Sequence, residues 1–364
     1  MQSKRANRRS TNRSAQENAF TLIELLTVVF IIGLLIAILV PAINLARNAA
    51  KNAKTASLIK AIDTGLEMSK QDNEKYFRAT NGYPPSFVHP VLKGYAGFSR
   101  AAANEGRFPF EGSSGSHPRV YGAHWLPFFL MGKDALGYIP PASVRASLRD
   151  KPEEWYLPDP SDNAGPLERQ ALYVDRDTAP LKATSQLMGR SLDPGAAFPD
   201  WAVMSGLPVI VDSFGQAVLY YASNTFGKQT NMVEEEHLLD DDYADGRPFY
   251  FHQDNAGFTG NNDQSTDANG WDYSNQARTV NGKLKLHRIA EPGDESDPTG
   301  MSAEFETFAL YILDKNAYKR APQPVPANWP RLPVRSDSYL LITAGVDGLY
   351  GTNDDVTNLP AFEE

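Results

Sequence analysis

Residues 20–43 read FTLIELLTVVFIIGLLIAILVPAI, and only Thr21, Glu24 and Thr27 among them are plainly polar. A helix rises 1.5 Å per residue, so about twenty such residues cross a hydrocarbon core of roughly 30 Å. The run is long enough to span. A secretory signal peptide has a shorter apolar core, roughly 7–15 residues, closed by a small-residue cleavage site. Here Pro41 leads instead into an alanine-rich stretch containing Ala42, Ala46, Ala49, Ala50, Ala53, Ala56 and Ala61. An uncleaved signal anchor is the plain alternative for this segment.

The flanks differ in charge. Residues 1–19 carry Lys4, Arg5, Arg8, Arg9 and Arg13 against Glu17 alone, a net +4 in a chain of net −9, so the remainder holds −13. Arg47, Lys51, Lys54 and Lys60 follow the span closely, so the positive-inside rule leans only slightly toward a cytoplasmic amino terminus. An acidic body does not suit a nucleic-acid binder, whose main affinity term is Lys and Arg against phosphate, and no nucleic acid is expected as a partner. The basic leader directly precedes an apolar segment, a context of membrane targeting.

Glu24 is the informative residue of the span. A charge near the middle of a membrane costs about 2.5–3.5 kcal/mol or more, so an intramembrane carboxylate normally has a partner. A cut between Ala19 and Phe20 would create a cationic amine one helical turn before Glu24. In an assembly of staggered helices that amine could pair with Glu24 of a neighbouring subunit, and loss of either charge would strand the other in apolar surroundings.

The run Ala19-Phe20-Thr21-Leu22-Ile23-Glu24-Leu25-Leu26 resembles the prepilin peptidase motif of type IV pilins and type II secretion pseudopilins. Family members carry a basic leader, a cut before a residue that is usually Phe, amino-methylation there, and Glu at the fifth mature position. Pro41 falls where many members place a helix-bending proline. The family nearly always has Gly before the cut, where this chain has Ala19, and the 19-residue leader is longer than many. The resemblance implies Ala19 and Phe20 as the processing site and Glu24 as the assembly residue. It also implies single-pass residence in the inner membrane with the carboxyl-terminal domain extracytoplasmic, and later assembly into a periplasmic or cell-surface filament. The implied partners are copies of the chain, other pilin-like subunits, prepilin peptidase, the membrane, and the inner-membrane platform with its ATPase.

Beyond the span, Ile59, Ile62 and Leu66 recur at steps of three and four, as an amphipathic helix requires. Gly65 weakens that helix locally, and Asn81-Gly82-Tyr83-Pro84-Pro85 ends it. A helix from Phe20 to about Tyr76 would be roughly 85 Å long. Its second half needs a sheet to cover it.

The 364-residue chain has 26 Pro and 27 Gly, and its body reads as loop-rich. No cysteine is present, which removes disulfides and thiolate metal sites. Short apolar runs predict strands at Pro208–Val211, Ala217–Ala222, Phe308–Leu313 and Tyr339–Thr343. Residues 254–275 are rich in Asn, Gly and Asp and read as loop, and the prolines of residues 321–333 predict a stiff, extended stretch. The acidic run Glu234–Asp242 reads as solvated surface. The expected fold is α+β: a long N-terminal transmembrane helix packed on a small antiparallel sheet with large loop-rich insertions.

Two further segments resemble the major pseudopilin of type II secretion systems. Asn81-Gly82-Tyr83-Pro84 stands where that family has a Gly-x-Tyr-Pro turn, and Asp212-Ser213-Phe214-Gly215-Gln216-Ala217 with Tyr220-Tyr221 is similar to its strand entry. The implied division is leader 1–19, membrane or filament-core helix 20–43, helix continuation 44–80, and a pilin-like domain 81–364 with insertions near 86–205 and 225–335.

Gly345-Val346-Asp347-Gly348-Leu349-Tyr350-Gly351-Thr352-Asn353-Asp354-Asp355 follows a predicted strand. Ca²⁺ takes six to eight oxygen ligands, and a glycine-rich loop lets carbonyls turn inward beside carboxylates. The run departs from the EF-hand pattern, which alternates carboxylates and closes with Glu. It is similar to the carboxyl-terminal calcium loop of the major pseudopilin, and that resemblance implies Asp347, Asp354 and Asp355 as ligands. An ordinary solvated Asx/Gly turn is the alternative.

The expectation is a structural protein and not an enzyme. None of the six histidines stands in an HExxH or other metal-ligand spacing, and Gly112-Ser113-Ser114-Gly115 lacks the G-x-S-x-G of a nucleophile elbow. An adhesive minor pilin whose insertions bind a surface is the runner-up, ahead of a signal-anchored enzyme.

Overall fold

The structure is a computed structural model that describes residues 22–74, 77, 80–86, 121–132, 135–139, 169–187, 207–223, 249–250, 252–259, 278–280, 283–285, 289, 308–314, 316, 320 and 332–360. The chain divides into two compact units, Met1–Ala50 and Lys51–Glu364. One helix, α1 (Leu22–Asn73), passes through both.

In the first unit α1 is apolar on every side. Large side chains from Leu22 to Leu45 are exposed, with Phe30 at 67% and Leu45 at 72%. A soluble helix shows one apolar stripe, whereas an all-round apolar helix belongs in a core or a membrane. None of its described side chains in this unit is buried, and the helix is long and apolar enough to cross a membrane. Its few polar groups are accounted for locally: Thr27 Oγ1 donates to the Ile23 carbonyl at 2.8 Å, and Glu24 occupies the first turn, where the helix dipole favours an anion.

In the second unit α1 becomes amphipathic, burying Thr55, Leu58, Ile59, Ile62, Gly65, Leu66 and Ser69. That stripe lies against a three-stranded antiparallel sheet of β3 (Leu219–Ala222), β6 (Tyr339–Thr343) and β7 (Val356–Thr357), in the order β3-β6-β7. The register pairs Leu219 with Ile342 and Ala222 with Tyr339, then Ile342 with Thr357. Side chains alternate across the sheet. Tyr220, Ala222, Tyr339 and Leu341 join Leu58, Ile59, Ile62 and Leu66 in one core. Leu219, Tyr221, Leu340 and Ile342 face a second core with Phe129, Phe308, Ile312 and Tyr350. Both faces are covered, so these strands read as unbroken apolar runs.

Helix α2 (Gly122–Met131) is buried along its whole length and supplies residues to both cores. Its start is held tightly: a Cβ on Gly122 would lie 2.0 Å from the Tyr220 carbonyl oxygen. Asn255 accepts from Ala123 N–H at 2.9 Å and donates to that same carbonyl at 2.8 Å. Two smaller ribbons complete the body: β1 (Leu181–Ala183) with β2 (Pro208–Ile210), and β4 (Arg278–Val280) with β5 (Lys283–Lys285).

The expected α+β layout of a long apolar N-terminal helix with small antiparallel sheets is what the chain shows. The strands anticipated at 208–211, 217–222 and 339–343 are present, the first two ending or beginning in the Val211–Ala217 bridge. Phe308–Leu313 is a correction: Phe308–Tyr311 is a helical turn, and only Leu313 makes a strand-like bridge, to Pro333. Six apolar residues carry no periodicity that separates one buried turn from a strand. Residues 254–259, read as loop, belong to a 3-10 turn (His252–Asn255) and a helical turn (Ala256–Thr259) that dock beside α2. Helix α1 ends at Asn73, with Asn81 and Gly82 both left-handed (φ 54° and 88°) in the following turn. The leader, the acidic run 234–242 and Tyr76 lie outside the described residues.

Candidate functional site

The loop between β6 and β7 gathers the three aspartates that the sequence singles out. Gly345, Gly348 and Gly351 take positive φ (55°, 71° and 90°), a region that L side chains enter at a cost. These three bends fold residues 345–355 back on themselves. A Cβ on Gly345 would lie 2.3 Å from the Asp354 carbonyl oxygen and 2.7 Å from its Oδ2. Nothing but glycine fits there.

Asp354 is the loop's internal anchor. Its Oδ2 accepts from the N–H groups of Val346 at 2.6 Å and Asp347 at 2.9 Å, and its Oδ1 accepts from Thr352 Oγ1 at 2.6 Å. Burial pushes its pKa up, but the hydrogen bonds from Thr352, Asp347 and Val346 outweigh burial and hold it below the ordinary carboxylate value. Asp355 sits deeper. Its Oδ2 accepts from Gly351 N–H at 2.7 Å and from the Tyr311 hydroxyl at 2.8 Å. Burial raises it to about 7, against the opposing pull of those hydrogen bonds. Asp347 Oδ1 accepts from Leu349 N–H at 2.8 Å.

All three carboxylates therefore lie in one loop, and each is engaged by the loop's own donors. No group of three or more His, Cys, Asp or Glu side chains converges on one point among the described residues. A carboxylate has about four lone-pair positions, so each retains acceptor capacity beyond the bonds described. The available donor atoms are carboxylate, carbonyl and hydroxyl oxygens without nitrogen or sulfur, a set that suits a hard cation such as Ca²⁺ rather than Zn²⁺. In donor chemistry, then, the loop fits calcium.

Residues that sequence reasoning passed over hold this loop in place. Thr352 braces Asp354, Tyr311 reaches Asp355 from the short helix misread as a strand, and Tyr350 donates to the Ala217 carbonyl at 2.7 Å. Thr352 lies within the quoted run and was open to notice; Tyr311, 44 residues away, carried no local signal.

At the other end of the chain, Glu24 is the third residue of the described helix and is exposed, whereas Ala19 and Phe20 lie outside the described residues. No family model matches the chain, and neither a curated protein nor a solved structure matches it at a significant level.

Proposed function

We propose that this chain is a structural subunit of a type II secretion pseudopilus or type IV pilus-like filament, made as a single-pass inner-membrane precursor and assembled through its N-terminal helix. The observation that carries the reading is α1 itself, apolar and exposed on all sides from Leu22 to Leu45, with the acidic Glu24 in its first turn. A helix needing neighbours on every side is satisfied by lipid before assembly and by other copies of itself afterwards. Apolar area is worth about 25 cal/mol per Å² removed from water in either setting, so extraction requires helix-to-helix contact of comparable extent.

Prepilin peptidase would cut between Ala19 and Phe20, and the new amine would meet Glu24 of the next subunit. Desolvated charges are stable only in company, which makes the pairing a register device as well as an attraction. The ATPase and its platform protein would drive extraction, with the body remaining outside the membrane.

Asp347, Asp354 and Asp355, with neighbouring carbonyls, would hold Ca²⁺, which supplies a divalent charge that clips the glycine-bent loop. Support for this comes from the all-oxygen donor set and the three glycine bends, together with the resemblance of the run.

Mass spectrometry of the amino terminus of the native membrane protein tests the central claim. Methylated Phe20 as first residue is the expected result. An intact Met1 would leave an ordinary tethered protein in place of a filament subunit.

A further inference from the structure

The body begins at Lys51, and the surface around that residue is basic and aromatic in an otherwise acidic chain. No acidic residue occurs between Glu24 and Asp63, while Arg47, Lys51, Lys54 and Lys60 do. Lys51 and Lys54 are exposed and three residues apart, hence neighbours on one helical face. The tight turn Asp212–Gln216 is fastened beside them: Ser213 N–H donates to Thr55 Oγ1 at 3.2 Å, and Lys51 Nζ lies 5.1 Å from the half-buried Phe214 ring. Lys182 reaches the same tip from β1, its Nζ 3.1 Å from where a Cβ on Gly215 would stand.

None of the three lysines makes an ion pair with a described carboxylate. Among the described residues, Lys182 lies near Asp212, which is buried and whose Oδ1 is committed to the N–H groups of Phe214 and Gln216. Three lysines beside a half-exposed phenylalanine thus have charge to offer and little to receive it among the described residues.

We infer that this end of the body docks on anionic phospholipid headgroups through Lys51, Lys54, Lys182 and Phe214. The inference rests on the reading that the apolar part of α1 spans a bilayer with the body outside. Lys51 follows Leu45, the last exposed large apolar residue of that part, by six residues, about 9 Å of helix. Headgroup regions occupy the outer several ångströms of a bilayer, and lysines extend their ammonium groups into them while their stems stay on apolar surface. A phenylalanine flanked by lysines can enter the boundary between headgroups and acyl chains just beneath them. This surface gives a physical use to the cations that dilute the charge asymmetry across the span. It would hold the precursor body on its membrane until extraction.

The absence of cysteine makes the test direct. The full chain, with Ser213→Cys or Ile36→Cys carrying a nitroxide, is reconstituted into phosphatidylcholine vesicles with and without phosphatidylglycerol. Accessibility to a water-soluble and a lipid-soluble relaxation agent is then measured. At position 213, phosphatidylglycerol should withdraw the label from the aqueous agent, and 0.5 M salt should reverse this (about a twofold Debye-length contraction from physiological conditions). A triple substitution of Lys51, Lys54 and Lys182 by Gln should abolish the lipid dependence, since each lysine near such a surface contributes about a fivefold gain in docked population. The triple Arg variant should retain it, which separates charge from fold. A label at 213 that ignores lipid composition while the one at 36 is lipid-exposed overturns docking and leaves the span standing. A label at 36 exposed to water sinks both. Withdrawal at 213 that depends on protein density rather than on phosphatidylglycerol assigns the surface to a second copy and likewise overturns the inference.

Discussion

Tyr339 donates a 2.6 Å hydrogen bond to Asp63 across 276 residues of sequence, tying the central strand β6 to the second half of the long helix. Burial, together with the Asp63 carboxylate, holds the Tyr339 phenol well above its ordinary pKa, so it remains the donor at any physiological pH. Arg335 completes the group, 3.6 Å from Asp63 and stacked 5.0 Å from the Tyr339 ring. Asp63 is 40% exposed at its side chain, which moderates the energy. Tyr339→Phe should cost about 1–2 kcal/mol, read as a lower urea midpoint at unchanged slope. Asp63→Asn keeps an acceptor and should cost less than Asp63→Ala. Equal losses in those two variants would mean that the hydrogen bond contributes nothing.

Gly65 sits on the buried face of α1, where a Cβ would lie 2.4 Å from Val174 Cγ2 and 3.1 Å from the Tyr173 carbonyl oxygen. On an exposed helix Gly→Ala stabilises by about 0.8–1.0 kcal/mol. At position 65 the clash should reverse the sign, with a net loss of about 1–3 kcal/mol. Adding Val174→Ala opens the space, so the double variant should be more stable than the two single losses summed. Thermal melts of the four proteins give the coupling.

These two sites mark what could be read in advance and what could not. The stripe Ile59, Ile62, Leu66 was legible because its period matches a helix, and β3 and β6 were legible because strands covered on both faces are apolar throughout. Gly65 looked like a weak point because propensity is a local property, whereas its use here is a close approach by residues more than 100 positions away. Helix α2, GAHWLPFFLM, left no signal at all: with every residue buried there is no polar face to set a period, and Pro127 argues against helix. In the candidate site, the three aspartates were legible as one acidic run. Their orientation toward their own backbone depends on three left-handed glycines and was not legible.

His124 lies within α2 as a neutral link. Its Nδ1 accepts from Tyr121 N–H at 3.1 Å, which places the proton on Nε2, 2.8 Å from Thr184 Oγ1; Thr184 in turn donates to the Leu207 carbonyl at 2.9 Å. Burial lowers its pKa from 6.5 to about 3. Between those values the unfolded chain binds a proton that the folded chain refuses. Stability contributed above pH 6.5 is therefore lost as pH falls toward 3, by up to about 1.4 kcal/mol per pH unit. His124→Gln should be less stable at pH 7.5 yet show a flatter decline on acidification, measured by urea unfolding from pH 7.5 to 4.5. Parallel slopes in the two proteins would remove His124 from the acid response.

The aspartates of the β6–β7 loop divide into two kinds, and calcium should expose the division. Asp354 secures two backbone N–H groups and Thr352, so Asp354→Asn should lower the melting temperature even in EDTA, as should Gly345→Ala, whose Cβ meets the Asp354 carbonyl at 2.3 Å. The Asp347 Oδ1 bond to Leu349 N–H closes a single turn, two residues on. Asp347→Asn should therefore leave the EDTA melt close to that of the parent while removing the calcium-dependent rise. That rise is set by ligand linkage: at a hundredfold excess over the dissociation constant, a site present only in the folded chain adds about 2.7 kcal/mol. The measurement is a melt of the full-length protein in detergent, with EDTA and with calcium, beside metal analysis of the purified chain. A parent protein whose melt ignores calcium, with none found by metal analysis, would reduce the loop to a turn that Asp354 closes unaided.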